Sequence, residues 1–378
     1  MERIHLAFLW HMHQPFYKNL FTGEYLLPWV LLHGTKDYFD MAYILKEFPG
    51  LKQNFNLVPS LLKQLMDYED LQVKDTYLEI FRTSPQDLSD SQKIFLLMNF
   101  FNANWDNMIK PFPHYFELLK KRGFYYPKEG IKEIKEYFTD EELRDIQVFF
   151  FLAWIDPMFF EQYDGLRYLK TKGKSFSEED KHVIEEVQRS ILKGIIPLYK
   201  ELASAGAIEL STSPFYHPII PLLIDSSTAR EAMPDVILPE RPFRQKRDAS
   251  HQVKTAIDLF SQLFGYAPRG MWPPEGSVSN DTLAVYAEHG VEWLVTDELV
   301  KLPFICTYED HNINTGIGPF VAQQLLTRRY KGRMESFGVK DYGPSGDTDE
   351  VMAAEGLDVD SMVKALSKML KRKRRNKR

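Results

Sequence analysis

The sequence predicts an α/β protein with a parallel sheet and a long helical insertion. Three features predict it. The first 60 residues read strand–loop–helix–strand–loop–helix. Residues 70–205 are mostly helical in pattern. From 206 onward, short apolar runs again alternate with amphipathic stretches. Alternating β and α segments with short links imply right-handed crossovers and parallel strands.

Residues 4–10, IHLAFLW, are almost continuously apolar, as expected of a strand buried on both faces. Residues 35–48 have helical spacing and stop before Pro49-Gly50. NFNLV (54–58) reads as a second strand, and Pro59-Ser60 opens a helix. The wide apolar segment 145–157 ends in Asp156-Pro157. Ser177 to Asp180 has the form of a capping box, and Gly206 sits where the helix behind it should end. AIELS (207–211), RGMW (269–272) and VEWLV (291–295) read as strands. Residues 249–264 and 280–289 read as helices, closed by Gly265 and Gly290. Residues 301–360 give no clear strand–helix unit, and 361–370 suggest a short amphipathic helix.

Composition narrows the partners. The last eight residues, KRKRRNKR, hold seven of the 47 basic residues, which leaves 40 against 53 acidic ones elsewhere. An acidic body repels phosphate backbones, so nucleic acid is not an expected partner of the main domain, and the tail reads as solvated and disordered. The single cysteine, Cys306, excludes an internal disulfide framework and a cysteine-rich zinc site. No apolar run approaches the length of a membrane span, and the opening stretch, broken by histidines, is not expected to act as a secretory signal. A cytoplasmic protein without membrane partners is expected. Aromatic residues, at 14%, suffice for a core and for lining a groove.

Four polar clusters each follow a predicted strand: His11/His13/Gln14, Thr212/His217, Glu275 and Asp297/Glu298. Sites in parallel α/β folds form at the carboxyl ends of strands, so distant strands would deliver these groups to one mouth. Trp10, Trp272 and Trp293 stand beside them. Glu275 lies in MWPPEGS, where two prolines stiffen the approach and a glycine releases it. Such a turn can hold a nucleophilic carboxylate, or equally an acid near a helix start. Side chains two apart on an extended segment point to opposite sides, so His11 and His13 are not expected to share a metal. Asp156, Glu209 or His217 could add a third ligand, but spacing does not support it. Sugar hydrogen bonding or packing is the favoured role of the histidines. Trp154 and Asp156 in LAWIDP read as a packed helix end or as part of a binding wall.

Taken together, MERIHLAFLWHMHQPFY, LAWIDP, GAIELSTSPFYHPIIPLL, RGMWPPEGSVS and VEWLVTDE resemble glycoside hydrolase family 57, its α-amylase-like branch, over residues 1–298. The resemblance implies an incomplete (β/α)7 barrel with helical insertions. It implies action on α-1,4-glucans with retention; no cofactor and no metal are expected. Residue by residue, it makes Glu275 the nucleophile and His11, His13 and His217 sugar-subsite residues. Trp154, Asp156 and Trp272 would shape the groove.

The domains expected are a barrel at 1–298 with its insertion around 70–205, a poorly defined segment at 299–370, and the basic tail at 371–378. The family's aspartate acid/base normally lies in an LDGEN-like pattern, which this sequence lacks; Asp297 and Asp310 are weak substitutes. YEDHNINTGIGPF (308–320) looks like a degraded amylase-like segment, so the C-terminal part is expected to be degenerate or truncated. The favoured reading is an α-glucan hydrolase or 4-α-glucanotransferase acting on maltooligosaccharide. A non-catalytic or vestigial α-glucan-binding protein is the alternative. A metal-dependent carbohydrate hydrolase is the third reading.

Overall fold

The computed structural model of the chain describes residues 8–125, 128–295, 304–312, 319, 322, 333–339 and 348–372. It separates into two units, Met1–Thr296 and Asp297–Arg378. The first unit carries strands β1 (Leu9–Met12), β2 (Glu24–Tyr25), β3 (Gln53–Leu57), β4 (Lys74–Asp75), β5 (Ile208–Ser211), β6 (Gly270–Met271) and β7 (Trp293–Leu294). Each pairing between these strands is parallel.

β1, β3 and β5 form one sheet in that order, with Leu9 opposite Asn54 and Asn56 opposite Ser211. Thr212, just past β5, bridges in parallel to Met271 of β6, and Trp272 N–H donates to its carbonyl at 2.8 Å. β6 then pairs with β7. The result is an arc of five parallel strands, β1-β3-β5-β6-β7, whose carboxyl ends share one side. Among the described residues β1 and β7 are not paired with each other.

The expectation of a first strand buried on both faces fails for the described part. Trp10 is 44% exposed and only Met12 of β1 is buried, because among the described residues β1 is the edge of the arc and pairs on one side, with β3. Residues 1–7 lie outside the described part. The helix expected at 35–48 is also displaced. It runs from Trp29 to Lys36, behind Pro28, and the chain then makes two short turns, Asp40–Tyr43 and Ile44–Lys46. Gly34 sits where a Cβ would press on the Leu192 and Leu65 side chains, so this helix packs closely on its neighbours.

The insertion is helical, as its pattern requires. Asp140–Ala153 is buried along nearly its whole length from Leu143, as a helix apolar all round must be. Phe149, Phe150 and Phe151 meet Tyr115, Phe100 and Phe81 there. Ser177 caps the 27-residue helix Glu178–Ser204 with a full capping box, and Gly206 follows at φ +64°. A smaller apolar cluster joins Ile220, Val253, Met271, Val285 and Tyr286 behind β6. None of the helices, among the described residues, is long and apolar enough to cross a membrane.

Close backbone approach holds β6 against β7. Gly270 lies opposite Trp293, and a Cβ at Gly270 would overlap the Trp293 indole. Gly270→Ala should therefore cost about 2 kcal/mol, the usual size of overpacking in a filled site. Urea denaturation checks this; a variant as stable as the parent would contradict the seating of Trp293.

Asp40 carries a second expectation. Its Oδ1 is buried without a hydrogen-bond partner among the described residues. Burial, and then the charges of Asp156 and Asp37, push its carboxyl up to about 6. The folded chain therefore holds this proton to higher pH than the unfolded chain does. Stability is full below about pH 4 and falls as pH rises towards 6. Asp40→Asn should stabilise at pH 7.5 by about 1–2 kcal/mol, discounted for partial exposure, and change little at pH 4. Denaturation midpoints at the two pH values test it; an equal effect at both would contradict the assignment.

In the second unit, β8 (Phe304–Asn312) and β9 (Arg333–Val339) pair in parallel, with Phe304 opposite Arg333. Helices Thr348–Ala354 and Val359–Arg372 follow. The segment from 301 to 360, which gave no strand in the sequence, thus contains two. The run FICTY is apolar and β-branched enough for a strand, but scattered Asn, Asp and Gly mask its edges. Residues 371 and 372, assigned to the tail, close the last helix; 373–378 lie outside the described residues.

Candidate functional site

The site is built at the carboxyl ends of the arc. β1 delivers His11, and His13 stands just beyond it. β5 leads into Thr212 and Ser213, and then through a loop to His217. β6 leads into Trp272 and the turn Pro274–Gly276, which presents Glu275. The three imidazoles converge. Ring centroids lie 5.7 Å apart for His11 and His13, 5.0 Å for His11 and His217, and 4.3 Å for the stacked pair His13 and His217. Trp272 lies 5.7 Å from His11. The expectation that His11 and His13 face opposite ways is thereby corrected. Strand alternation does not extend to His13, because β1 ends at Met12.

A buried amide organises this cluster. Asn56 of β3 is fully buried and donates through Nδ2 to the Thr212 carbonyl at 2.7 Å and to Ser211 Oγ at 3.2 Å. That fixes Oδ1 towards His11 Nδ1, 2.8 Å away, and towards the Ser213 hydroxyl at 3.0 Å. An amide oxygen only accepts, so Nδ1 of His11 carries the proton and Nε2 of the neutral ring holds the lone pair. Asn56 was not singled out in the sequence. Its signal was a polar residue in an otherwise apolar strand end, NFNLV.

Charge and strain mark the same place. Desolvation lowers the pKa of all three histidines. His217 is brought to about 4 by desolvation and then by His13 and His11. The rings are therefore neutral near pH 7, and each offers one donor and one acceptor. Glu275 opposes the shifts on His11 and His13, so its charge acts at this mouth. Its side chain is exposed, not buried in packing. His217 and Glu275 have φ +57° and +55°, the left-handed region that non-glycine residues enter at a cost of about 1–2 kcal/mol. Backbone held there by its surroundings concentrates at functional sites.

Trp154 and Asp156 are engaged elsewhere. Trp154 is buried; its Nε1–H donates to the Asn102 carbonyl at 3.1 Å and its ring packs edge-on against Trp29 and His33. Asp156 caps the helix Pro157–Gln162 by accepting from Met158 N–H at 2.9 Å, with Lys36 Nζ 3.7 Å away. The link from this layer to the mouth runs through Tyr38, which accepts from Gln14 Nε2 at 2.8 Å and lies 6.1 Å from the His33 ring. Asp297 lies outside the described residues. Asp310 lies on β8, in the second unit.

Solved structures similar to the chain include the α-amylase AmyC from Thermotoga maritima, at 14% identity and a TM-score of 0.36, over 78% of this chain and 40% of that one. They also include the 4-α-glucanotransferase from Thermococcus litoralis, at 14% identity and 0.33, over 90% of this chain and 34% of that one. The chain thus spans about two fifths or less of the length of these proteins. Likeness this weak does not transfer their activities. A short stretch of 81 residues is 31% identical to a putative transketolase C-terminal section from Methanocaldococcus jannaschii, covering 21% of this chain and 26% of that protein. The model of Glycosyl hydrolase family 57 matches residues 7–331. With most of its length matched, the chain belongs to glycosyl hydrolase family 57.

Proposed function

We propose that the chain is a retaining α-glucan-active enzyme, a hydrolase or 4-α-glucanotransferase, with Glu275 as its nucleophile. One observation supports the reading: the rings of His11, His13, His217 and Trp272 cluster at the ends of three strands of a parallel arc, and the charge of Glu275 acts on His11 and His13. In this reading the arc is part of the family's incomplete (β/α)7 barrel. Trp272 offers a flat apolar face to a sugar ring, and the neutral imidazoles hydrogen-bond its hydroxyls. The Glu275 carboxylate attacks the anomeric carbon as the glycosidic C–O bond breaks, the leaving sugar departs with its oxygen protonated, and a glycosyl ester remains. Water or a second sugar hydroxyl then releases it, giving hydrolysis or transfer.

A retaining mechanism needs a second carboxyl about 5 Å from the first, to protonate the leaving oxygen. Asp297 and Asp310 are proposed from sequence position alone. An enzyme without this acid loses on the order of 10²–10⁴ in rate on unactivated glucan. The test is product analysis after incubation with maltoheptaose. Shorter or longer maltooligosaccharides support the reading. Tight binding with no product would overturn catalysis and leave a glucan-binding protein.

A further inference from the structure

We propose that His11, His13 and His217 together bind one divalent transition-metal ion, with Zn²⁺ the best-fitting probe. One ligand nitrogen from each ring lies within 4.8 Å of the other two. Tetrahedral Zn²⁺ with Zn–N bonds of about 2.0–2.1 Å sets its ligand nitrogens about 3.3 Å apart. The set therefore closes by about 1.5 Å at its widest, within reach of imidazole rotation about the side-chain bonds.

Two further observations point to a ligand here. Nε2 of His217 is buried and has no hydrogen-bond partner among the described residues, a state that costs about 1–3 kcal/mol if left unmet. His11 already has the outer partner that metal-bound histidines use: Nδ1–H on an acceptor, here Asn56 Oδ1 at 2.8 Å, with Nε2 left bearing the lone pair. Asn56 is in turn held by Thr212 and Ser211, so the ring is set by a chain of fixed bonds. An all-imidazole set suits Zn²⁺, Cu²⁺, Ni²⁺ and Co²⁺ and not Mg²⁺ or Ca²⁺, which take oxygen. Three protein ligands leave further positions for water or a sugar hydroxyl.

The inference stands without the glycosidase reading. The full chain is stripped with chelator and titrated with Zn²⁺, with bound metal measured by mass spectrometry and affinity by calorimetry. Co²⁺ absorption in the visible reports the nitrogen set. One ion per chain is expected. His217→Asn is the main variant, because asparagine tolerates positive φ and lacks the imidazole. His13→Ala is the second, and circular dichroism confirms that each is folded. Both should weaken binding at least 100-fold.

Absence of stoichiometric Zn²⁺ on the parent chain would overturn the proposal. So would full-affinity binding by both variants, which would put the ion on others of the chain's 10 histidines. Sugar release by a chain that binds no metal sinks this inference alone. Metal binding by a chain that releases no sugar in its metal-free form sinks only the glycosidase reading.

Discussion

Glu275→Gln should leave the chain folded and lower sugar release from maltoheptaose by on the order of 10⁴-fold or more, the scale of a lost nucleophile. The carboxylate is exposed, so its replacement by an amide should change stability by no more than about 0.5 kcal/mol. The backbone strain at φ +55° is the same in both proteins. Activity and stability thus separate, which distinguishes a reacting group from a structural one. The measurement is initial rate against maltoheptaose beside a urea denaturation curve. Equal rates in parent and variant would exclude Glu275 as nucleophile. An equally large loss of stability would mean that the carboxyl holds the fold together.

Asn56→Ala should destabilise by about 2–4 kcal/mol. The loss comes from the polar groups left behind, since each buried group stranded without a partner costs about 1–3 kcal/mol. His11 Nδ1–H loses its acceptor, and Ser211 Oγ loses its donor from the amide. The Ser213 hydroxyl retains the Trp272 carbonyl at 2.9 Å, and the Thr212 carbonyl retains Trp272 N–H. The damage is therefore concentrated on the His11 side. His11 should also lose its fixed tautomer, which its NMR ring-nitrogen shifts would reveal. A variant of parental stability with unchanged His11 shifts would show that the amide does not organise the cluster.

Much of the arc was legible because its strands are short apolar runs, each followed at once by polar residues. The periods of the two long helices and the capping box at Ser177 were equally direct. The site was half legible. Glu275, His11, His217 and Trp272 could be placed at strand ends, and the structure brings them to one mouth. The relation between His11 and His13 could not be read, because it depends on where β1 stops. A one-residue difference in strand length decides whether the second ring alternates or turns. Asn56 was invisible for another reason. Its role comes from bonds to Ser211, Thr212 and Ser213, more than 150 positions away, and local pattern does not encode such pairing. The exposure of β1 likewise reflects its place at an edge, which an apolar run does not reveal.

The most direct test of Glu275 as nucleophile is covalent trapping with a fluorinated maltosyl fluoride. Fluoride leaves with little need of protonation, so the trap works even where the acid/base is weak or missing. The intact protein should gain the mass of one glycosyl group, and peptide mapping should place it on Glu275. A label on any other carboxylate would contradict the assignment. So would an unlabelled protein that nevertheless cleaves maltoheptaose.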